Sequence, residues 1–149
     1  MSEAIFAVRD LKILLDQFKG EGLMVSCYAD LSVDHGHQSR WQGVFKAKSD
    51  TLKKTLAADQ RAWQSCLRDL EAIRQALESP KARHAHGMAV FSADQRGFFL
   101  AIPLAAPVEN EIVVDQSPYL VPLLKYFTNS ANFWWCKATP TEVAFMRLH

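Results

Sequence analysis

The residues best suited to metal chemistry in this chain are two histidine pairs. His35 and His37 lie in a polar segment, and His84 and His86 precede an apolar run. Both pairs fall at predicted loop ends beside strands, so they could meet in space, with Cys27 as a further ligand. Zinc sites usually combine cysteine and histidine pairs at wider fixed spacings, and H-x-H alone is weakly diagnostic. We therefore expect exposed loop histidines and no metal.

Serine and cysteine nucleophiles are present, but none lies in a pattern typical of an active site. Ser26, Ser92 and Cys136 lack a Gly-x-Ser-x-Gly elbow. The glycines are scattered singly, so they form no phosphate-binding loop, and the carboxylates form no D-x-D or E-x-x-H arrangement. We therefore expect a binding domain with no catalytic residue, no cofactor and no small-molecule substrate.

Basic residues are concentrated between positions 40 and 61, where they could neutralise phosphates. The candidate nucleic-acid-binding residues are Arg40, Lys46, Lys48, Lys53, Lys54 and Arg61. The formal net charge of the whole chain is only +1, so an RNA contact must come from such a local patch. The other interpretation is an ordinary solvated helix surface, on which Asp50, Asp59 and Asp69 balance the basic residues.

Aromatic residues dominate the C-terminal segment 131–149. Phe133, Trp134 and Trp135 form a strand-like run, and a second run follows a turn. Neighbouring strand residues point to opposite faces, so both tryptophans cannot be buried on one side. We expect these three aromatic residues to form a partner-binding surface that homodimerisation would cover. Alternatively, the segment is the stub of a second domain.

The composition indicates one folded domain of ordinary size, because the hydrophobic fraction is 49% and the charged fraction is 22%. Three cysteines without paired spacing indicate free thiols in a reducing compartment. The N-terminal residues carry Glu3 and no long apolar core, which is not typical of a secretory signal. No stretch approaches the roughly 20 apolar residues that a membrane span needs. We expect a cytoplasmic location and no membrane contact.

Apolar periodicity predicts the elements that position these residues. A helix is expected from Asp10 to Gly20, and strict alternation predicts a half-buried strand over 23–31. Two amphipathic helices follow, over about 41–56 and 58–77. The join between them carries no strong helix breaker, so one bent helix is an alternative. We favour a helical hairpin, because both apolar stripes need a surface to cover them.

The second half of the chain is expected to be richer in strands. Apolar runs over 86–92 and 97–104 predict a β-hairpin, and 111–114 predicts a further short strand. Residues 117–127 predict a helix that tolerates Pro122 only in its first turn. Together these elements predict an α+β domain over residues 1–130. Its expected architecture is a mixed β-sheet with the two-helix hairpin packed on one face.

Three segments and their order resemble a known family. They are GLMVSCYADLS at 22–32, HGMAVFSADQRGFFLAIPLAAPVENEIVVD at 86–115 and SPYLVPLLKYF at 117–127. Over about residues 10–130 the chain resembles the N-terminal domain of the bacterial family related to archaeal and eukaryotic class-1 peptide chain release factors. The resemblance implies a ribosome- or RNA-associated accessory domain in translation.

The chain departs from the decoding signatures of those release factors. Their turn between the two long helices carries Asn-Ile-Lys-Ser, whereas this chain has Ala57-Ala58-Asp59-Gln60 at the corresponding join. Their Tyr-x-Cys-x-x-x-Phe signature would fall at 91–97, where neither tyrosine nor cysteine occurs, and no Gly-Gly-Gln is present. The resemblance therefore implies neither stop-codon decoding nor peptide release by this chain.

Overall fold

The computed structural model describes residues 2–32, 40–129, 133–139 and 142–147. Four α-helices and six β-strands lie within these ranges. Short 3-10 turns extend α1 and precede β2 and β3. In chain order the elements are α1 (Ser2–Asp16), β1 (Met24–Asp30), α2 (Arg40–Thr55), α3 (Gln60–Leu77), β2 (Gly87–Ala93), β3 (Phe98–Leu104), β4 (Glu111–Asp115), α4 (Val121–Asn129), β5 (Phe133–Thr139) and β6 (Glu142–Arg147).

The first four strands form one sheet in the order β3-β2-β1-β4. Each strand is antiparallel to its neighbours. The predicted α+β class is confirmed, but the sheet is antiparallel rather than mixed. The reason lies in the connection from β1 to β2. A helical hairpin returns the chain to the end of the sheet that it left, so β2 must run against β1.

Helices cover both faces of this sheet, which makes three layers. On one face, α1 and α4 enclose a core that includes Leu14, Phe91 and Leu123. On the other face, α2 and α3 enclose a second core that includes Trp41 and Ile73. We call these the α1/α4 face and the α2/α3 face. The predicted packing of the two-helix hairpin on one face of the sheet is confirmed.

The central strand β1 corrects one expectation. Its residues from Met24 to Ala29 are all buried, so it is not the half-buried strand that its alternation indicates. Ser26 reads as an outward polar position in the sequence, yet its hydroxyl oxygen accepts a hydrogen bond from the Tyr119 backbone N–H at 2.9 Å. A small, hydrogen-bonded polar residue can thus lie on a buried face of a strand, and its sequence pattern then looks like that of a solvent-exposed face.

The helical hairpin forms as predicted, with its turn at residues 56–59. Asp59 is the N-cap of α3, and its carboxylate accepts a hydrogen bond from the Ala62 backbone N–H at 3.1 Å. This contact satisfies one of the N–H groups that every helix start leaves free. The cap separates α3 from α2 where the sequence carries no glycine or proline.

The two terminal helices differ in how well the sequence predicts their bounds. Helix α1 begins at Ser2 and not at Asp10, which lies within the helix. The prediction that Asp10 caps the start of this helix is wrong, because the residues before Asp10 also favour a helix. Helix α4 begins at Val121, four residues after the predicted start at Ser117, and this later start places Pro122 in its first turn, where no intrahelical N–H is needed.

Strands β5 and β6 pair with each other and form a separate two-stranded sheet. The register shifts between Trp135 and Lys137. Within the described ranges of the chain, no helix is long and apolar enough to cross a membrane.

Candidate nucleic-acid interface

The end of the helical hairpin gathers three of the predicted basic residues. Lys53 and Lys54 lie in the last turn of α2, and Arg61 lies in the first turn of α3. Residues 56–59 connect the two helices between them. We call residues 53–61 the hairpin tip. Sequence reasoning placed these cations along a helix surface, and the fold additionally brings both helix ends together.

All the described side chains of the predicted basic set are exposed: Lys46, Lys48, Lys53, Lys54 and Arg61. None of them forms an ion pair with another described residue; the ion pairs among the described residues involve Arg68 and Arg74. Arg68 binds Asp94 at 2.7 Å, and Arg74 binds Glu71 on its own helix and Glu78 at the C-cap of that helix. The charges of these five described side chains therefore remain available to a ligand, unlike those of Arg68 and Arg74 farther along α3.

The surface of α2 is strongly basic for its length. The helix carries five basic residues and one acidic residue, Asp50, which gives a formal charge of +4. At 100° per residue, Lys46, Lys53 and Lys54 lie on the side opposite the apolar stripe. Lys48 falls within the arc of that stripe, although its side chain is exposed. Asp50 shares the outward side with the three lysines. A polyanion that lies along α2 would thus meet three cations and one carboxylate.

Backbone dipoles act in opposite directions at the tip. The C-terminal end of α2 carries a partial negative charge, so the cations Lys53 and Lys54 stabilise the helix there. This stabilisation is a structural role that needs no ligand. The N-terminal end of α3 is favourable for an anion, but the carboxylate of Asp59 already accepts a hydrogen bond from one of the N–H groups at that end. Side-chain cations, rather than helix ends, are therefore the groups that an anion would meet at the tip.

An open depression of about 310 Å³ lies beside the tip. Its polar side chains include Gln95 from the β2–β3 turn and Gln116 from the segment after β4. Both amides can donate hydrogen bonds to phosphate or to base edges. Sequence reasoning missed them, because their proximity to Arg61 depends on how the sheet brings distant turns to one end. The residues around it are Gly22, Leu23, Asp59, Arg61, Ala62, Gln95 and Gln116.

The proposed metal ligands are not brought together in the described part of the chain. His84 and His86 are exposed near the start of β2, and His35 and His37 lie outside the described residues. Cys27 is buried in the core, where burial raises the pKa of its thiol to about 12. Within the described residues, no group of three or more histidine, cysteine or acidic side chains could hold a metal.

The serines considered as nucleophiles are engaged in structural hydrogen bonds. The Ser92 hydroxyl donates to the Asp69 carboxylate at 2.7 Å, and Ser26 accepts from the backbone of Tyr119. Both serines are buried. The side chain of Cys136 lies outside the described residues. The two serines therefore position the elements that pack on the sheet.

The remaining predicted site residues are placed by backbone alone. Arg40 is the first residue of α2, at the end opposite the hairpin tip. Phe133, Trp134 and Trp135 begin β5, in the segment predicted as a hairpin. The side chains of these four residues lie outside the described ones. Their roles in nucleic-acid and partner binding stay predictions.

No protein-family model matches this chain, and no curated protein matches it.

Proposed function

We propose that this chain is a non-catalytic RNA-binding accessory domain, with the hairpin tip and the outward side of α2 as its contact surface. The observation that supports this most is the set of exposed lysines on α2 that no described acidic residue pairs with. Cations placed in this way neutralise phosphates and release counterions. The partner would be ribosomal RNA or another cytoplasmic RNA, bound through its backbone.

The resemblance to the release-factor family favours the same end of the molecule. In those proteins the turn between the two long helices reads the stop codon. Here that turn contains two alanines and the capping residue Asp59, so it has few groups for recognising bases. We therefore propose contact with phosphates without codon reading, and no hydrolytic step.

The proposal is tested by measuring the affinity for purified ribosomal RNA by filter binding at low and moderate salt. We expect the variant that combines Lys53→Glu with Lys54→Glu to lose affinity by about tenfold or more at low salt. The matched control combines Lys12→Glu with Lys125→Glu, since both lysines are exposed on helices of the α1/α4 face. The net charge of this control is the same, and we expect its affinity to stay within about threefold of the wild type.

Equal losses in the two variants would mean that net charge alone attracts RNA, and the proposed surface would be wrong. Binding that does not weaken as salt rises would contradict phosphate contacts, because counterion release makes them steeply salt-dependent.

A further inference from the structure

The two edges of the main sheet differ in how they are protected. The edge strand β4 is short and carries Glu111 and Asp115 at its ends. The other edge strand, β3, is seven residues long and contains only apolar residues, FFLAIPL. Natural edge strands are usually blunted by charges, because their unpaired N–H and C=O groups recruit other strands. Strand β3 lacks that protection apart from Pro103.

The backbone of β3 presents alternate residues at its free edge. The carbonyl oxygen of Leu104 accepts a hydrogen bond from the His86 N–H at 3.0 Å, so Leu104 faces β2. Successive strand residues bond to opposite sides, which turns the N–H and C=O groups of Phe99 and Ala101, and the C=O group of Pro103, outward. Pro103 is consistent with this orientation, since proline is tolerated in sheets at positions where no N–H has to bond to a neighbouring strand.

The side chains of the same three residues lie on the α2/α3 face, because Phe99 is opposite Ser92 and Pro103 is opposite Met88. Helix α3 packs on β2 and β1 and leaves β3 only partly covered. Phe99 is 48% exposed, and Pro103 is also exposed. Among the described residues, no strand pairs with this edge of β3, so its exposed apolar side chains coincide with outward backbone groups.

We propose that β3 is a homodimerisation strand that pairs antiparallel with β3 of a second copy about a twofold axis at Ala101. In this register Ala101 would bond to its own equivalent, and each Phe99 N–H would donate to a Pro103 carbonyl. The Phe99 ring would lie against the pyrrolidine ring of Pro103 on the same face. The two four-stranded sheets would become one of eight strands.

A second copy suits this edge better than an unrelated partner for two reasons. The strand has no charge that a partner of opposite charge would complement. The register is also self-complementary, because the Phe99 and Pro103 contact occurs twice across the axis, as in an isologous interface. This surface is distinct from Phe133, Trp134 and Trp135, and it does not involve the hairpin tip.

The first test is light scattering of the full chain after size exclusion, over a range of protein concentrations. We expect a dimer for the wild type. Phe99→Lys places a charge at the seam and should weaken the dimer by about a hundredfold or more. The control is Leu67→Lys, since Leu67 is 50% exposed and lies on α3 rather than on the edge strand; this variant should remain dimeric.

The second test measures the register directly. Paired residues in an antiparallel ladder have Cα atoms about 5.5 Å apart, within the range of a disulfide. In a Cys136→Ser background, Ala101→Cys should form a disulfide-linked dimer on mild oxidation, and Leu67→Cys should not.

Three results would overturn the proposal: a wild type that stays monomeric at high concentration, a dimer that persists in Phe99→Lys, or equal cross-linking of the two cysteine variants. Loss of RNA binding has no bearing on these tests, because the tip and β3 are separate surfaces.

Discussion

Asp69 is the most unusual single residue of the described core. Its side chain is 1% exposed, and one carboxylate oxygen accepts hydrogen bonds from Ser92 at 2.7 Å and from the Asp94 N–H at 2.8 Å. The other oxygen, like the nearby Ser65 hydroxyl, has no hydrogen-bond partner among the described residues. Burial raises the pKa of this carboxyl group, and the two hydrogen bonds only partly offset that effect.

This geometry predicts a pH dependence of stability with a definite sign. The folded chain keeps the Asp69 proton at pH values where the unfolded chain, with its ordinary pKa of 3.8, has lost it. The contribution of Asp69 to the free energy of unfolding is therefore greatest below pH 3.8 and falls as the pH rises through the raised pKa. Asp69→Asn removes the titration and keeps one acceptor oxygen.

Urea unfolding at a series of pH values checks this. We expect Asp69→Asn to gain stability relative to the wild type as the pH rises above 3.8. The control, Glu71→Gln, should lose relative stability as the pH rises, because Arg74 lowers the pKa of the exposed Glu71. A constant difference between wild type and Asp69→Asn at all pH values would contradict the account.

At the scale of elements, Arg96 joins three connecting segments at one end of the sheet. From the β2–β3 turn, its guanidinium donates hydrogen bonds to the carbonyl oxygens of Gln17, Glu21 and Gly22 at 2.7, 2.9 and 2.8 Å. It also donates to the carbonyl of Gln116. A planar group with five donors can bind several carbonyls at once, which an ammonium cannot do with the same geometry.

We expect Arg96→Ala to lower the free energy of unfolding by about 2 kcal/mol or more, because four carbonyls lose a charged donor. Arg96→Lys should recover only part of this loss. Urea denaturation measures both values. Arg61→Ala, which removes an arginine without described hydrogen bonds, is the matched control. A loss below about 0.5 kcal/mol in Arg96→Ala would show that the segments are held without it.

Local patterns predicted the elements well where one periodicity dominated. The apolar stripe of α3 and the runs of β2 and β3 were visible in the sequence, and so were the lysines of α2. The double burial of β1 was not, because Ser26 and Asp30 imitate an outward face. Arg96, Gln95 and Gln116 gain their roles from contacts between residues distant in sequence, which no local pattern encodes.

At the scale of the whole molecule, charge is distributed unevenly. Helix α2 has a formal charge of +4, while the entire chain has +1, so the rest of the chain is acidic overall. Such asymmetry orients a polyanion toward one side during diffusional encounter. In the proposed dimer, the uncharged edge of β3 would face a second copy. RNA binding and self-association would then use different parts of the surface.

The most direct test of the central claim is site-specific photocross-linking to ribosomal RNA. A benzophenone amino acid is placed at Ala58 in the hairpin tip or at Val121 on α4, both of which are exposed. We expect an RNA adduct from position 58 and none from position 121. Adducts of equal yield, or an adduct from position 121 alone while RNA is bound, would contradict this expectation.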